Sequence, residues 1–207
     1  MNVKLKICGM RDAANITDVA ALQPDYLGII FYDKSPRFVG ADFKMPVLGK
    51  HIKKVGVFVN EKTDAILRFI EKYSLDMVQL HGTETAGECR VLQAKGVNVI
   101  KAFSVDDDFD FEVTKPFEKV VAYFLFDTKG RYFGGNAKTF DWTLLRKYNQ
   151  KVPFFLSGGI SPENVSAVRE IADLNIYAID VNSGVEDRPA VKSVNKAKAI
   201  QEIINAL

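Results

Sequence analysis

Short apolar runs recur along the chain and alternate with stretches whose apolar residues follow the helical period. Runs of this kind, rich in Val, Ile, Leu and Phe, are typical of buried strands. The predicted strands are Val3–Ile7, Tyr26–Phe31, Lys54–Val59, Met77–Leu80, Val97–Phe103, Tyr123–Phe126, Phe154–Leu156 and Ile176–Val181. The predicted helices between them are Ala13–Leu22, Phe43–Lys50, Thr63–Lys72, Thr85–Lys95, Phe109–Phe117, Trp142–Gln150, Pro162–Ile171 and Val191–Ala206.

This strict alternation of strand and helix predicts an α/β fold with parallel strands joined by right-handed crossovers. Eight such units close into a (β/α)8 TIM barrel, for which about 200 residues is the short end of the size range. The chain has 207 residues and no stretch of linker composition, so we expect a single domain over 1–207. An open, doubly wound sheet is the alternative architecture.

The first predicted strand brings a thiol to one end of the barrel. Side chains alternate between faces with period two, so Lys4, Lys6 and Cys8 share one face and the apolar residues between them share the other. Nearby ammonium groups favour the thiolate form of a cysteine, which would make Cys8 reactive. A cysteine that only fills space in the core is the competing interpretation.

Side chains capable of acid–base chemistry stand where four of the predicted strands end. They are Cys8, His81, Asp127 and Asp180. In a (β/α)8 barrel the active site is built at the carboxyl ends of the strands, so the four positions predict one shared site. For His81, lining this site and forming a hydrogen bond at the barrel rim are equally compatible with the sequence.

Two glycine-containing loops follow the seventh and eighth predicted strands, at Ser157–Ile160 and Asn182–Glu186. Glycine lets backbone N–H groups approach an anion, and a helix N-terminus adds a favourable dipole. Many barrels hold a phosphate at these two loops. Each loop alone could be a tight turn, but the pair predicts a phosphate site.

The charge balance and the cysteine count exclude several classes of protein. The chain has 28 basic and 26 acidic residues, a net charge of +2, which is too even to predict a nucleic-acid-binding surface. No apolar stretch approaches membrane-spanning length, so we expect no membrane partner. Two cysteines are too few for a disulfide scaffold, and we therefore expect a reducing, cytoplasmic environment. Two histidines argue against a histidine metal site.

Seven short motifs follow one another along the chain. They are Lys-Ile-Cys-Gly-Met-Arg (6–11), Ser-Pro-Arg (35–37), Val-Gln-Leu-His-Gly (78–82), Phe-Asp-Thr (126–128), Lys-Thr-Phe-Asp-Trp (138–142), Leu-Ser-Gly-Gly-Ile (156–160) and Asp-Val-Asn-Ser-Gly-Val-Glu (180–186). With these motifs the chain resembles the phosphoribosylanthranilate isomerases of tryptophan biosynthesis. The resemblance implies an Amadori rearrangement of a small phosphosugar, N-(5-phosphoribosyl)anthranilate, without metal or organic cofactor. It also implies a monomer or a homodimer.

The resemblance further implies a role for each candidate residue. Cys8 matches the general base that removes the proton from C2′ of the opened sugar, and Asp127 matches the general acid that protonates the ring oxygen. Arg37 matches the residue that holds the anthranilate carboxylate, which its planar fork suits. Asp180 matches a polar residue that faces the substrate. The phosphate site is matched by the backbone around Gly158, Gly159, Ser183 and Gly184.

The implied mechanism needs a thiolate base and a protonated carboxylic acid at the same time. A free cysteine has a pKa of about 8.5, so a thiolate near neutral pH needs help from its surroundings. Since Lys4 and Lys6 share the face of Cys8, we expect these two ammonium groups to lower the pKa of the thiol.

The loop after the sixth predicted strand departs from the family pattern. Asn136 and Ala137 stand where the family usually has threonine and glycine. Ala137 should stiffen a segment that folds over the substrate, which bears on turnover and not on reaction type.

Three other functions compete with this one. A sister phosphosugar isomerase of histidine biosynthesis shares the barrel and the rearrangement but uses an aspartate where this chain has Cys8. A synthase of the neighbouring indole-forming step needs a lysine acid and a pair of glutamates that the sequence does not place. A non-catalytic sensor of a phosphorylated ligand would need neither an acid nor a base.

Overall fold

The chain folds into a closed barrel of parallel strands with helical connections, in a computed structural model that describes residues 3–128 and 139–206. Over these residues the barrel strands are β1 (Lys4–Ile7), β2 (Tyr26–Ile30), β3 (Lys53–Phe58), β4 (Met77–Leu80), β5 (Val99–Val105), β6 (Tyr123–Thr128), β7 (Phe154–Leu156) and β8 (Ile176–Val181). Each strand pairs in parallel with the next, and β1 also pairs with β8, which closes the sheet. The predicted (β/α)8 barrel is confirmed.

The connections contain α-helices, 3₁₀ helices and a hairpin. The α-helices are α1 (Ala13–Ala20), α2 (Thr63–Tyr73), α3 (Ala86–Ala94) and α4 (Val194–Asn205). The 3₁₀ helices are Phe111–Phe117, Trp142–Lys147, Val165–Ile171 and Ser183–Val185. An antiparallel hairpin of β9 (Glu186–Arg188) and β10 (Val191–Lys192) lies between β8 and α4. In the ranges described, no helix has both the length and the apolar character needed to cross a membrane.

One predicted helix, Phe43–Lys50, is wrong, because the segment between β2 and β3 forms no helix. Pro46 lacks a backbone N–H and disfavours the helical conformation of the residue before it, and Gly49 weakens a helix further. The segment is held instead by Phe43, whose ring centroid lies 5.7 Å from that of Tyr73 in α2. The hydroxyl of Tyr73 also donates to the carbonyl of Phe43.

Three other predicted helices are present but wind as 3₁₀ helices, shorter than expected. They replace the predicted Phe109–Phe117, Trp142–Gln150 and Pro162–Ile171. Pro116 lies inside the first of them and cannot donate the hydrogen bond that continues an α-helix. The last predicted helix begins at Val194 and not at Val191, because the residues before it pair in the hairpin.

The side chains inside the barrel change from apolar to charged along its axis. Lys6, Gln79 and Asp180 are buried there, and Lys6 contacts both of the others. The layer nearer the amino ends of the strands is an apolar cluster of Tyr26, Val55, Met77, Ile100, Ala102, Leu125, Phe155 and Ala178. Because strand side chains alternate, the next inward residues stand at the carboxyl end of the barrel, where the candidate site lies.

Candidate active site

A cavity opens at the carboxyl end of the barrel, and eight of the nine predicted site residues line it. They are Cys8, His81, Asp127, Gly158, Gly159, Asp180, Ser183 and Gly184. Arg37 is the exception. The cavity is also lined by Gln79, which sequence analysis did not single out. Strand alternation was the available signal, because Gln79 precedes His81 by two positions and shares its face.

Cys8 follows β1 directly, and Gly28 of β2 leaves room for its side chain. A Cβ atom at position 28 would lie 2.6 Å from the Cys8 sulfur, closer than such contacts allow. Burial raises the pKa of the Cys8 thiol, whereas the charges of Lys6 and Lys192 lower it, and the net shift is upward. Lys6 therefore acts on Cys8 in the expected direction, but the effect of burial is larger.

Lys6 is the buried cation whose charge acts most strongly on Cys8. Its Nζ lies 2.8 Å from Asp180 Oδ1 and 2.8 Å from Gln79 Oε1, and the side chain is fully buried. Burial alone lowers the pKa of Lys6, but Asp180 and Cys8 raise it above its ordinary value. The ammonium charge is therefore retained in the middle of the barrel.

Contrary to the expectation from the sequence, Lys4 is not one of the main groups that lower the pKa of Cys8. Its Nζ binds Asp25 Oδ1 at 3.1 Å, and both side chains are partly exposed to solvent. The charged groups that lower the pKa of Cys8 are Lys6 and Lys192, and Lys4 is not among them. Lys192 comes from β10, which was predicted as part of a helix, so its approach to Cys8 was missed.

Asp127 and His81 lie next to each other in the cavity wall. His81 Nε2 lies 3.3 Å from Asp127 Oδ2, and both side chains are buried. His81 Nδ1 lies 2.9 Å from Gln79 Nε2 on the same strand face. The two interpretations that the sequence left open for His81 both apply, because the ring lines the cavity and is also hydrogen-bonded at the rim.

The two glycine loops pack directly against each other and against β6. Gly158 and Gly159 have φ values of +94° and +63°, which favour glycine. A Cβ atom on Gly158 would lie 2.3 Å from Thr128 Oγ1, and one on Gly184 would lie 1.9 Å from the carbonyl oxygen of Ile160. Glycine is therefore needed for the close approach of the loops as well as for their backbone conformation.

The loops present backbone donors to the cavity. Among the described residues, no protein acceptor is bound by the N–H groups of Gly158, Gly159, Ser183 and Gly184. Unengaged N–H groups on residues that line one cavity, beside a short helical turn at Ser183–Val185, are the donors that an anion-binding concavity requires. The arrangement can hold a phosphate without a lysine or arginine side chain.

Arg37 lies beside the cavity, and its planar fork already binds a protein carboxylate. Its Nε and Nη2 lie 2.8 Å and 2.6 Å from the two carboxylate oxygens of Glu186. Lys192 Nζ binds the same carboxylate at 2.7 Å, and burial lowers the pKa of Lys192 to about 8. A Cβ atom on Gly9 would lie 2.7 Å from Arg37 Cδ, so the arginine side chain crosses the backbone next to Cys8.

Some sequence expectations fall outside the described residues. Asn136 and Ala137, the departures in the loop after β6, belong to 129–138, so their effect on that loop stays a prediction. Within the ranges that the structure covers, no group of three or more His, Cys, Asp or Glu side chains is arranged to hold a metal ion.

Comparison with known sequences gives a consistent result. The family model described as N-(5'phosphoribosyl)anthranilate (PRA) isomerase matches residues 5–203. The N-(5'-phosphoribosyl)anthranilate isomerase of Parabacteroides distasonis is 43% identical over 209 residues, which cover 97% of this chain and 93% of that protein. The enzyme of the same name from Phocaeicola vulgatus is 39% identical over 203 residues, with 98% and 97% covered.

Solved structures agree with the sequence comparison. The phosphoribosyl anthranilate isomerase of Thermotoga maritima has a TM-score of 0.86 at 33% identity and covers 99% of this chain and 100% of its own. A phosphoribosyl anthranilate isomerase in complex with reduced 1-(o-carboxyphenylamino)-1-deoxyribulose 5-phosphate has a TM-score of 0.82 at 31% identity, with 99% and 100% covered. The protein described here belongs to the N-(5'-phosphoribosyl)anthranilate isomerase family.

Proposed function

We propose that this chain isomerises N-(5-phosphoribosyl)anthranilate to 1-(2-carboxyphenylamino)-1-deoxyribulose 5-phosphate in tryptophan biosynthesis, with Cys8 as base and Asp127 as acid. One observation carries the proposal: a single cavity contains a thiol, a carboxyl group and two glycine loops with unengaged N–H groups. Family membership and the related structure bound to a reduced deoxyribulose phosphate support the same reaction.

The proposed reaction moves one proton to the ring oxygen and one from C2′, the two ring atoms bonded to C1′. Asp127 donates a proton to the furanose ring oxygen, and the C1′–O bond breaks to give an open-chain Schiff base. The Cys8 thiolate then removes the proton from C2′, and the resulting enolamine tautomerises to the aminoketose. Cys8 and Asp127 lie at the ends of β1 and β6, three strands apart around the barrel, so they reach the ligand from different sides.

The groups proposed to bind the phosphate and the sugar hydroxyls lie around Cys8 and Asp127. The phosphate is held by the backbone of the loops after β7 and β8, at Gly158, Gly159, Ser183 and Gly184. Asp180 is a polar group directed at the sugar hydroxyls. One of its oxygens is bound by Lys6, and the other accepts from Ser157 Oγ at 3.2 Å, so its orientation is fixed.

Arg37 is proposed to bind the anthranilate carboxylate through the end of its guanidinium group, because Glu186 binds the side that carries Nε. Glu186 takes the N–H of Nε and one N–H of Nη2, so the second N–H of Nη2 and the N–H groups of Nη1 remain for a ligand. Replacing Arg37 by methionine is expected to raise KM about tenfold, near the lower end of the effect of losing one hydrogen bond to a charged group. Steady-state kinetics check this prediction. A change in kcat alone would assign Arg37 a different role.

Replacing Lys6 by methionine is expected to raise the pKa of Cys8 further, because a buried cation that stabilises the thiolate is removed. A thiol ordinarily has a higher pKa than a carboxyl group. The active form has the thiol ionised and the acid protonated, so at a pH between those two pKa values it is a minor species. The basic limb of the kcat/KM profile then reports the thiol. Each unit of increase in the pKa of the thiol shifts this limb to higher pH by one unit and lowers the plateau of kcat/KM about tenfold.

The matched control for this experiment is Lys4→Met. Lys4 lies two residues earlier on the same strand face but binds Asp25, and it is not among the main groups that shift the pKa of Cys8. The Lys4 variant should keep the wild-type basic limb. An identical limb in the Lys6 variant, with a cooperative thermal melt, would remove Lys6 from the mechanism and leave Cys8 in it.

The direct test of the function is the conversion of phosphoribosylanthranilate, followed as the loss of its anthranilate fluorescence. Rapid conversion by the purified chain without added metal is the expected result. The aminoaldose phosphate of histidine biosynthesis should react far more slowly, because it is the substrate of the sister isomerase. Specific binding of phosphoribosylanthranilate without turnover would instead favour the sensor function.

The assembly that we propose is a monomer or a homodimer. A related Thermotoga maritima structure is described as mutually generated monomers of a dimeric phosphoribosylanthranilate isomerase, with a TM-score of 0.81 and 31% identity. Its subunit resembles this chain over 99% of the length, which makes a dimer one of the two states to test. A cytoplasmic location fits an enzyme of amino-acid biosynthesis.

A further inference from the structure

A line of buried contacts connects Lys6 to the candidate acid. Lys6 Nζ lies 2.8 Å from Gln79 Oε1, and Gln79 Nε2 lies 2.9 Å from His81 Nδ1. His81 Nε2 is 3.3 Å from Asp127 Oδ2. Lys6, Gln79 and Asp127 are each at least 97% buried.

The chemistry of these groups fixes the direction of every hydrogen bond in the line. An ammonium group can only donate, so the oxygen of the Gln79 amide must face Lys6. The NH₂ group of Gln79 therefore faces His81 and must donate, which makes His81 Nδ1 an acceptor. A neutral imidazole with Nδ1 as acceptor carries its proton on Nε2. That proton lies on the side of Asp127 and the cavity.

The Nε2 atom of His81 is buried and forms no hydrogen bond within the described part of the chain, despite its proximity to Asp127. It is thus a donor with no aligned protein acceptor at the mouth of the cavity. The charged groups around it are Asp127 opposite and, through Gln79, the pair formed by Lys6 and Asp180. A ligand oxygen in the cavity, within hydrogen-bond distance of Nε2 and beside Asp127, would satisfy this donor.

We infer that Gln79 is a positioning residue that, bound to Lys6, locks His81 in the Nε2–H tautomer, so that His81 donates to a substrate oxygen beside Asp127. The statement about substrate rests on the proposed function, whereas the tautomer follows from the contacts alone. The locked tautomer has a chemical consequence. A nitrogen that already carries a proton cannot accept one, so His81 cannot take the proton that Asp127 must deliver to the sugar ring.

The test is the position of the imidazole proton, measured by ¹⁵N NMR of protein labelled at histidine. Spectra are recorded at about pH 8, where an ordinary imidazole is neutral. The chain has two histidines, so His51→Asn assigns the His81 signals. In the wild type, Nε2 should carry the proton. In Gln79→Glu, a carboxylate faces Nδ1, and the proton should move to Nδ1.

A wild-type His81 with its proton on Nδ1 would overturn the inference, and this measurement does not depend on whether any variant folds. A Gln79→Glu variant that folds but keeps the wild-type tautomer would overturn it as well. Gln79→Leu is the size control, since it removes the donor without supplying an acceptor. It should allow both tautomers.

Kinetics separate this role from a merely structural one. Gln79→Glu should lower kcat about a hundredfold, the lower end of the range for losing one donor that acts in the transition state, with little change in KM. If the wild type does not convert phosphoribosylanthranilate but shows the locked tautomer, the proposed function fails and the assignment of Gln79 stands. If the wild type is active and its tautomer is unlocked, only the inference about Gln79 fails.

Discussion

Replacing Cys8 by serine is expected to lower kcat by about 10²–10⁴-fold, the range for losing a general base. Serine keeps the size of the side chain, but its hydroxyl does not ionise in the range where a thiol does. KM should change little, because the binding groups lie in other loops. Asp127→Asn should lose a similar factor, since an amide has no acidic proton to deliver to the ring oxygen.

The same substitutions elsewhere in the chain provide controls. Cys89→Ser changes the other cysteine, which is buried in α3 and lies outside the cavity, so kcat should be preserved. Asp173→Asn removes an exposed carboxylate paired with Arg146 and should also be silent in the assay. The double variant of Cys8 and Asp127 should be little slower than the worse single variant, because the two groups act in successive steps and the slower step sets kcat. Full activity in either single variant would end the two-residue mechanism.

Replacing Gly184 by alanine is expected to lower kcat/KM by about a hundredfold, because a misplacement of about 1 Å in substrate positioning has an effect of that order. The new Cβ atom would lie 1.9 Å from the Ile160 carbonyl oxygen and 2.8 Å from the Ile160 carbonyl carbon. Backbone atoms cannot rotate away as a side chain does, so the two phosphate loops must separate. Overpacking of this kind also destabilises a protein by about 1–3 kcal/mol.

Three measurements check the effect of Gly184→Ala. KM for phosphoribosylanthranilate should rise, inhibition by inorganic phosphate should weaken, and the Tm should fall. Gly87→Ala is the matched control, because its Cβ would meet only Thr85 Oγ1 at an ordinary 3.6 Å and Gly87 lies within α3. Alanine favours a helix, so this control should be as stable as the wild type or more so. Unchanged phosphate inhibition in Gly184→Ala would remove these loops from phosphate binding.

Most of the candidate site could be predicted from the sequence because it depends on where each residue stands relative to the end of its own strand. Cys8, His81, Asp127 and Asp180 each follow or end an apolar run, and a closed parallel barrel brings such positions to one mouth. Gln79 could have been added by the same alternation rule. These assignments need no knowledge of contacts between distant residues.

The parts that could not be predicted depend on contacts between distant residues or on backbone detail. Glu186 binds Arg37 across 149 positions of sequence, and no local pattern indicates that an internal carboxylate occupies this arginine. The charge of Lys192 near Cys8 was hidden because its strand was read as helix. The helix predicted at Phe43–Lys50 followed the spacing of apolar residues, but Pro46 outweighs that spacing.

The pairing of β1 with β8 has a consequence for how the protein is made. Strand β1 is synthesised before the other barrel strands, yet the edge that faces β8 has no partner until β8 is synthesised. Lys6 meets Asp180 only after 174 further positions, which at ordinary elongation rates takes roughly 9–35 seconds. During that interval the nascent chain exposes an open strand edge and an ammonium group without its carboxylate. The interval before β8 pairs with β1 is therefore when the growing barrel is most exposed to aggregation.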